Sequence, residues 1–144
     1  MTDVAFHFNA PDKLAYACRL LRKAVASGSQ VVVTAQAHDL EHLDALLWTF
    51  SAQEFVPHAL ASASAEVLAA TPVVLSESVT QAPHRQVLLN LGHDVPEGFD
   101  QFERLIDVVS LDDTDRQSAR VRWKQYTALG YQLTRHDLNL KGAT

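Results

Sequence analysis

Two spacings of apolar residues run through this chain, and they predict alternating strands and helices. Val4-Ala5-Phe6-His7-Phe8 alternates and predicts a first strand. Leu14, Ala17, Cys18, Leu21 and Val25 then recur at helical spacing, until Ser27-Gly28-Ser29 stops the pattern. Asn9 is the expected cap of that helix, with Pro11 in its first turn. Gln30-Val31-Val32-Val33-Thr34-Ala35 is apolar without alternation. A strand buried on both faces reads this way, and it points to a parallel sheet. A second helix is expected from Ala37 to Phe50, with Leu40, Leu43, Leu46, Leu47 and Phe50 as its core face.

The second half is read in the same way. Ser51 to Leu60 is expected to be extended or loop-like, because Pro57 disfavours helix before it. Ala61 to Thr71 is small and Ser/Ala-rich and reads as a loose connection. Pro72–Ser76, Gln86–Leu91 and Glu103–Leu111 read as strands, with Gly92 ending the second and a short helical turn at Pro96–Phe102. Tyr131–Thr134 is expected as a short edge strand, and Lys141–Thr144 as a frayed tail. The order predicts an α/β fold: one domain over 1–144, with a mostly parallel sheet flanked by helices on both faces. Its topology is Rossmann-like or flavodoxin-like, but no nucleotide fingerprint accompanies it.

One helix stands out. Asp113 to Tyr131 has acidic residues at its start and Gly130 at its end. Ala119, Trp123, Tyr126 and Leu129 are expected to face inward. Arg116, Arg120 and Lys124 follow at i, i+4 and i+8 and form a cationic ridge beside Trp123. Cations bordering an aromatic suit an acidic, extended peptide with an apolar anchor, since Arg grips carboxylates in a planar fork. The bland alternative is a solvated basic face.

Charge partition strengthens the first reading. Residues 116–144 hold Arg116, Arg120, Arg122, Lys124, Arg135 and Lys141 against Asp137, a net +5. The whole chain is −5, so residues 1–115 carry −10. An acidic body argues against broad, non-specific nucleic-acid binding but leaves room for a local basic face.

A second oddity is Trp48. On a helical wheel it lies more than roughly 100° from the apolar stripe of its helix. Tryptophans are enriched at partner interfaces. Phe55 and Val56 are expected to add another exposed or semi-exposed apolar spot near it.

Several chemistries find no support. A single cysteine, Cys18, excludes an internal disulfide and reads as a buried small hydrophobe. The turn Asn9-Ala10-Pro11-Asp12 has no glycine, so it is neither a dinucleotide fingerprint nor a P-loop. No nucleophile elbow and no His-Glu-x-x-His motif occur. His38 and His42 are spaced to share a metal, but Asp39, Glu41 and Asp44 complete no recognised set, and His58 has no second ligand at metal spacing. No metal and no cofactor are expected, and a binding module is favoured over an enzyme. The N-terminus lacks a basic signal region and no apolar run approaches about 20 residues, so a cytoplasmic protein without a membrane segment is expected.

Two blocks of sequence carry a resemblance. The first is Leu43-Asp44-Ala45-Leu46-Leu47-Trp48 with Glu54-Phe55-Val56-Pro57-His58; the second is Ala119-Arg120-Val121-Arg122-Trp123-Lys124-Gln125-Tyr126 with Gly130-Tyr131. Together they resemble the chi subunit family of bacterial DNA polymerase III holoenzyme. Chain length and element order are similar too. The resemblance implies a non-catalytic subunit with two binding faces. One would take the psi subunit, which tethers chi to the clamp loader, and falls on Trp48 and Phe55. The other would take the acidic C-terminal tail of single-stranded DNA-binding protein, which ends in Pro-Phe. It falls on Arg116, Arg120, Trp123 and Lys124, with Val109 as a pocket wall. Tyrosine also occurs in the family at position 123, and lysine at 116; both exchanges keep the chemistry. Ala61 to Arg85 departs most, and nothing is carried over there. The alternatives are a small α/β nucleotide- or flavin-binding enzyme with a cleft at the strand ends, and a module binding single-stranded DNA directly, with bases stacking on Trp123.

Overall fold

A computed structural model of the chain describes residues 1–49 and 55–139. Its elements are β1 (Asp3–Ala10), α1 (Lys13–Ala26), β2 (Val31–Thr34), α2 (Ala37–Thr49), β3 (His58–Leu60), α3 (Ala65–Ala70), β4 (Val73–Leu75), β5 (Val87–Asn90), β6 (Arg104–Ser110), α4 (Asp113–Ala128) and β7 (Leu133–Asp137). One 3-10 turn, Phe99–Gln101, precedes β6. Phe50 and the expected tail at Lys141–Thr144 lie outside the described residues.

Among the described residues seven strands form one sheet in the order β3-β4-β2-β5-β6-β1-β7. All six pairings are parallel. The α/β fold with a parallel sheet is therefore as the sequence predicts. The unalternated run in β2 is buried at all four positions, because helices cover both of its faces. On one face Cys18 and Leu21 of α1 and Leu40, Leu43 and Leu47 of α2 pack on Val31, Val33, Leu89 and Val108. On the other, Ala119 and Tyr126 of α4 pack with Phe99 and Phe102 on Val4, Phe6, Val32 and Leu105. Burial also pushes the Cys18 thiol up to about 11, so it stays a neutral hydrophobe at physiological pH.

Several local expectations are corrected. Asp12, not Asn9, caps α1, its carboxylate accepting from the Ala15 N–H at 3.1 Å. Asn9 instead sits in a bulge of β1. The register runs His7↔Val108 and then Ala10↔Ser110, so two residues of β1 face one of β6. Asn9 takes φ +65°, a left-handed conformation that asparagine tolerates. The loose connection at 61–71 contains α3, capped by Ser64, and β3 adds an edge strand before it. Both are too short to leave a periodic signal. The last strand reaches Asp137, not Thr134, because β7 follows β1 in register from Val4↔Leu133 to Phe8↔Asp137.

Helix α4 is fixed at both ends. Asp112 caps it, accepting from Asp115 N–H at 3.1 Å. At its end Gly130 has φ +93°. Gly130 donates to the Thr127 carbonyl and Tyr131 to the Tyr126 carbonyl, the paired bonds of a Schellman stop. Leu129, expected inside, is 60% exposed at that stop. The inner face of α4 is instead Asp115, Ala119, Arg122 and Tyr126.

Candidate functional site

That rotation of α4 places the cationic ridge beside the C-terminal parts of the paired strands β6 and β1. A cavity of about 430 Å³ lies there, lined by Phe6, Phe8, Asn9, Val109, Ser110, Arg116, Ala119, Arg120, Trp123, Lys124 and Arg135. Its volume falls in the roughly 300–1,000 Å³ range of small-ligand pockets. All five residues assigned from sequence, Arg116, Arg120, Trp123, Lys124 and Val109, meet in it. Alternation along β6 turns Leu105, Asp107 and Val109 toward α4, which puts buried Val109 at the pocket wall. Trp123 is half-buried, its ring edge-on to Phe6 at 5.1 Å. The β1 bulge sets Phe8 and Asn9 at the rim.

The charge of this lining is one-sided. It holds four cations and no carboxylate. Among the described residues none of the four makes an ion pair within the chain. A mostly apolar chamber ringed by cations that have no ion pair among the described residues suits an anion with an apolar part.

The second assigned pair lies at the other edge of the sheet. Trp48 near the end of α2 is 61% exposed and Phe55 is 50% exposed. Their ring centroids are 5.0 Å apart. Both rest on His58, at 5.2 and 5.9 Å between centroids. The His58 side chain is wholly buried. Its Nε2 lies 3.0 Å from an Asp44 carboxylate oxygen and its Nδ1 2.7 Å from the Val56 carbonyl. His58 is thus a fixed floor under two exposed rings. Val56, expected to share their exposure, is buried.

Comparison with known proteins gives the family. Residues 1–134 match the family described as DNA polymerase III chi subunit, HolC. The chain is 35% identical to the DNA polymerase III subunit chi of Pseudomonas aeruginosa, over 88% of this chain and 87% of that one. Identity is 32% to the Haemophilus influenzae subunit chi, over 82% of each chain. It is 30% to that of Escherichia coli, over 81% of this chain and 79% of that one.

The chain belongs to the DNA polymerase III chi subunit family. It is thereby a subunit of the replicative polymerase complex, with no catalytic activity of its own.

Two features of the site were not legible in the sequence. Arg122 enters the sequence reading only as part of the net charge of residues 116–144, yet it is fully buried. Its Nε and Nη2 donate to the two Asp107 carboxylate oxygens, both at 2.9 Å, and its Nη1 donates to the His93 carbonyl and Ser118 Oγ. Asn90 and Tyr126 complete the shell around Asp107. Burial pushes the Asp107 carboxyl up, while the Arg122 fork and Asn90 pull it back. The pair pins the rotation of α4 and so aims its ridge. The other feature is Arg135, which stood beyond the expected end of β7. Periodicity along α4 gave no sign of either.

A second ion pair ties the starts of the two long helices on opposite faces. Lys13 Nζ lies 3.1 Å from both oxygens of Asp115, which also accepts from the Ser110 N–H at 2.8 Å. Burial alone raises the Asp115 carboxyl, but the Ser110 amide and Lys13 outweigh it and hold it below 3.8. A depressed carboxyl gives stability that is present above its unfolded value and lost as pH falls through the folded one. Lys13→Met is therefore expected to lower the urea midpoint at pH 7. The gap from the parent should close as pH drops below about 4. A gap that is the same at pH 7 and pH 3 would show that Asp115 does not sense Lys13.

The strand-end cleft favoured by the enzyme alternative is also present, at about 290 Å³. Its lining includes Glu77, Asp94 and Glu97 and no Lys or Arg. Three carboxylates repel a nucleotide or flavin phosphate. Among the described residues no three potential ligands gather to hold a metal. No helix among them is long and apolar enough to cross a membrane.

Proposed function

We propose that this subunit is an adaptor, holding the acidic C-terminal tail of single-stranded DNA-binding protein in the α4 pocket and the psi subunit on Trp48 and Phe55. Through psi it joins the clamp loader, and it works in the cytoplasm. One observation supports the tail above all: an apolar chamber walled by Trp123 and Val109 is ringed by four cations and no acid. A terminal phenylalanine fills the chamber, and the preceding carboxylates meet Arg116, Arg120 and Lys124.

The sheet sets the two faces apart. The edge strand β3 packs beside α2, and β7 packs beside α4. Six strand intervals separate β3 from β7, roughly 29 Å at about 4.8 Å each. That separation supports an adaptor, which has to hold two partners at once.

The test is a titration by fluorescence anisotropy with a labelled peptide matching that tail, beside the same peptide lacking its last phenylalanine. Burying a phenylalanine is worth about 1.5–3 kcal/mol, so its removal is expected to weaken binding roughly tenfold or more. Arg120→Ala should weaken the full peptide, and raised salt should weaken it further, because the ion pairs are exposed. No binding by either peptide at low salt would sink the tail reading and leave the ridge a solvated face.

A further inference from the structure

We propose that Arg135 is a fourth cationic binding residue of the pocket, and that it grips the terminal carboxylate of a peptide ending in an aromatic residue. The inference rests on the peptide reading above and adds to it the end-group chemistry of the ligand.

The placement comes from strand register. Within β7, Leu133 joins the core on the α4 side of the sheet. Side chains alternate, so Arg135 leaves the sheet on that same side. It pairs across the strands with Phe6, one of the pocket walls. The strand is tethered just past it. Asn9 Nδ2 donates to Asp137 Oδ1 at 2.8 Å, and the Leu138 N–H donates to the Phe8 carbonyl at 3.0 Å.

The Arg135 guanidinium carbon lies 5.1 Å from the Phe8 ring centroid and 5.9 Å from that of Trp123. Both distances are within reach of cation–π attraction, which holds the fork in place before a ligand arrives. Its charge has no carboxylate partner among the described residues.

This position differs in kind from the ridge. Arg116, Arg120 and Lys124 stand one helical turn apart, which suits successive side-chain acids of an extended peptide. Arg135 comes from the opposite wall and lies over the rings that form the apolar chamber. In a C-terminal aromatic residue the carboxylate is only two bonds from the carbon that carries the ring. With the ring in the chamber, that carboxylate cannot stray far from the wall where Arg135 sits. Arg forms a two-bond fork with such a group, and the stacked plane leaves its edge N–H groups free to do so.

The experiment uses the full chain and two labelled tail peptides, one with a free terminal carboxylate and one with a terminal amide. Arg135→Ala is expected to weaken the free-acid peptide roughly fivefold or more and to change the amide by less than about twofold. Arg135→Lys, which keeps the charge without the fork, should fall between parent and Arg135→Ala. Arg120→Ala should weaken both peptides. Thermal unfolding of each variant checks that the exposed substitution leaves the fold intact. Equal loss for both peptides in Arg135→Ala, or no loss for either, overturns the end-group role while leaving the peptide pocket standing. Failure of the parent protein to bind the free-acid peptide overturns the pocket reading and this inference together.

Discussion

Arg122→Met is expected to destabilise the fold by about 3–5 kcal/mol, the usual cost of stripping one partner from a buried ion pair. Asp107 is fully buried. Without the Arg122 fork, its carboxylate keeps only Asn90 Nδ2 at 3.2 Å and the Tyr126 hydroxyl at 3.4 Å. A neutral amide and a distant phenol do not replace two charge-assisted bonds at 2.9 Å. The loss is a large share of the roughly 5–15 kcal/mol that holds such a domain together. At about 2–4 °C per kcal/mol, melting should fall by roughly 10 °C. The double variant Asp107→Leu/Arg122→Met removes the stranded charge as well and should recover most of the loss. The recovery stays incomplete because the His93 carbonyl and Ser118 Oγ also lose their donor. Urea midpoints of parent, single and double variants decide the matter. A single variant within about 1 kcal/mol of the parent would mean that the pair carries little of the packing between α4 and β6.

This pair also marks where sequence reading stopped. Periodicity located the strands at 4–8, 30–35 and 86–91, because each carries an apolar run long enough to rise above its surroundings. It found the basic helix because caps, glycine stop and charge ridge all agree there. It missed β3, three residues long and ordered by pairing with β4, and α3, whose six residues are too few to show a period. Spacing left Arg122 off the ridge that holds Arg120, but gave no sign that it is buried. Two positions apart on one helix, they differ only in which faces β6, and the carboxylate that draws Arg122 inward lies fifteen residues earlier. The pocket shows the same division. Arg116, Arg120, Trp123 and Lys124 share a helix and could be grouped by spacing. Arg135, Phe6 and Phe8 enter only through the parallel register of β7 on β1, which no local pattern encodes. Trp48 was legible for the opposite reason: it breaks its own helix's pattern. His58 beneath it was not, since Asp44 meets its ring only after folding.

Trp48→Ser is expected to abolish most binding to the psi subunit while barely changing the stability of the free chain. The ring is 61% exposed, so little apolar area returns to water when it is removed. Surface substitutions of this kind shift stability by about 0.5 kcal/mol. At an interface the arithmetic reverses. A large aromatic held by its surroundings is a typical hot spot, and its truncation costs about 2 kcal/mol or more, close to thirtyfold in affinity. Trp48 is held in that sense, because it packs at 5.0 Å on Phe55 and 5.2 Å on His58, whose imidazole is itself fixed by Asp44 and Val56. A rigid pair of rings loses little freedom on docking. Phe55→Ser should act in the same direction with a smaller loss. The tail peptide should bind both variants as it binds the parent, since neither residue lines the α4 pocket. Calorimetric titration with psi, together with a melting curve of the free chain, separates the possibilities. A variant that melts far below the parent would make the aromatic pair a structural cover over His58. A variant that melts normally and still binds psi with parental affinity would move the partner surface elsewhere on the molecule.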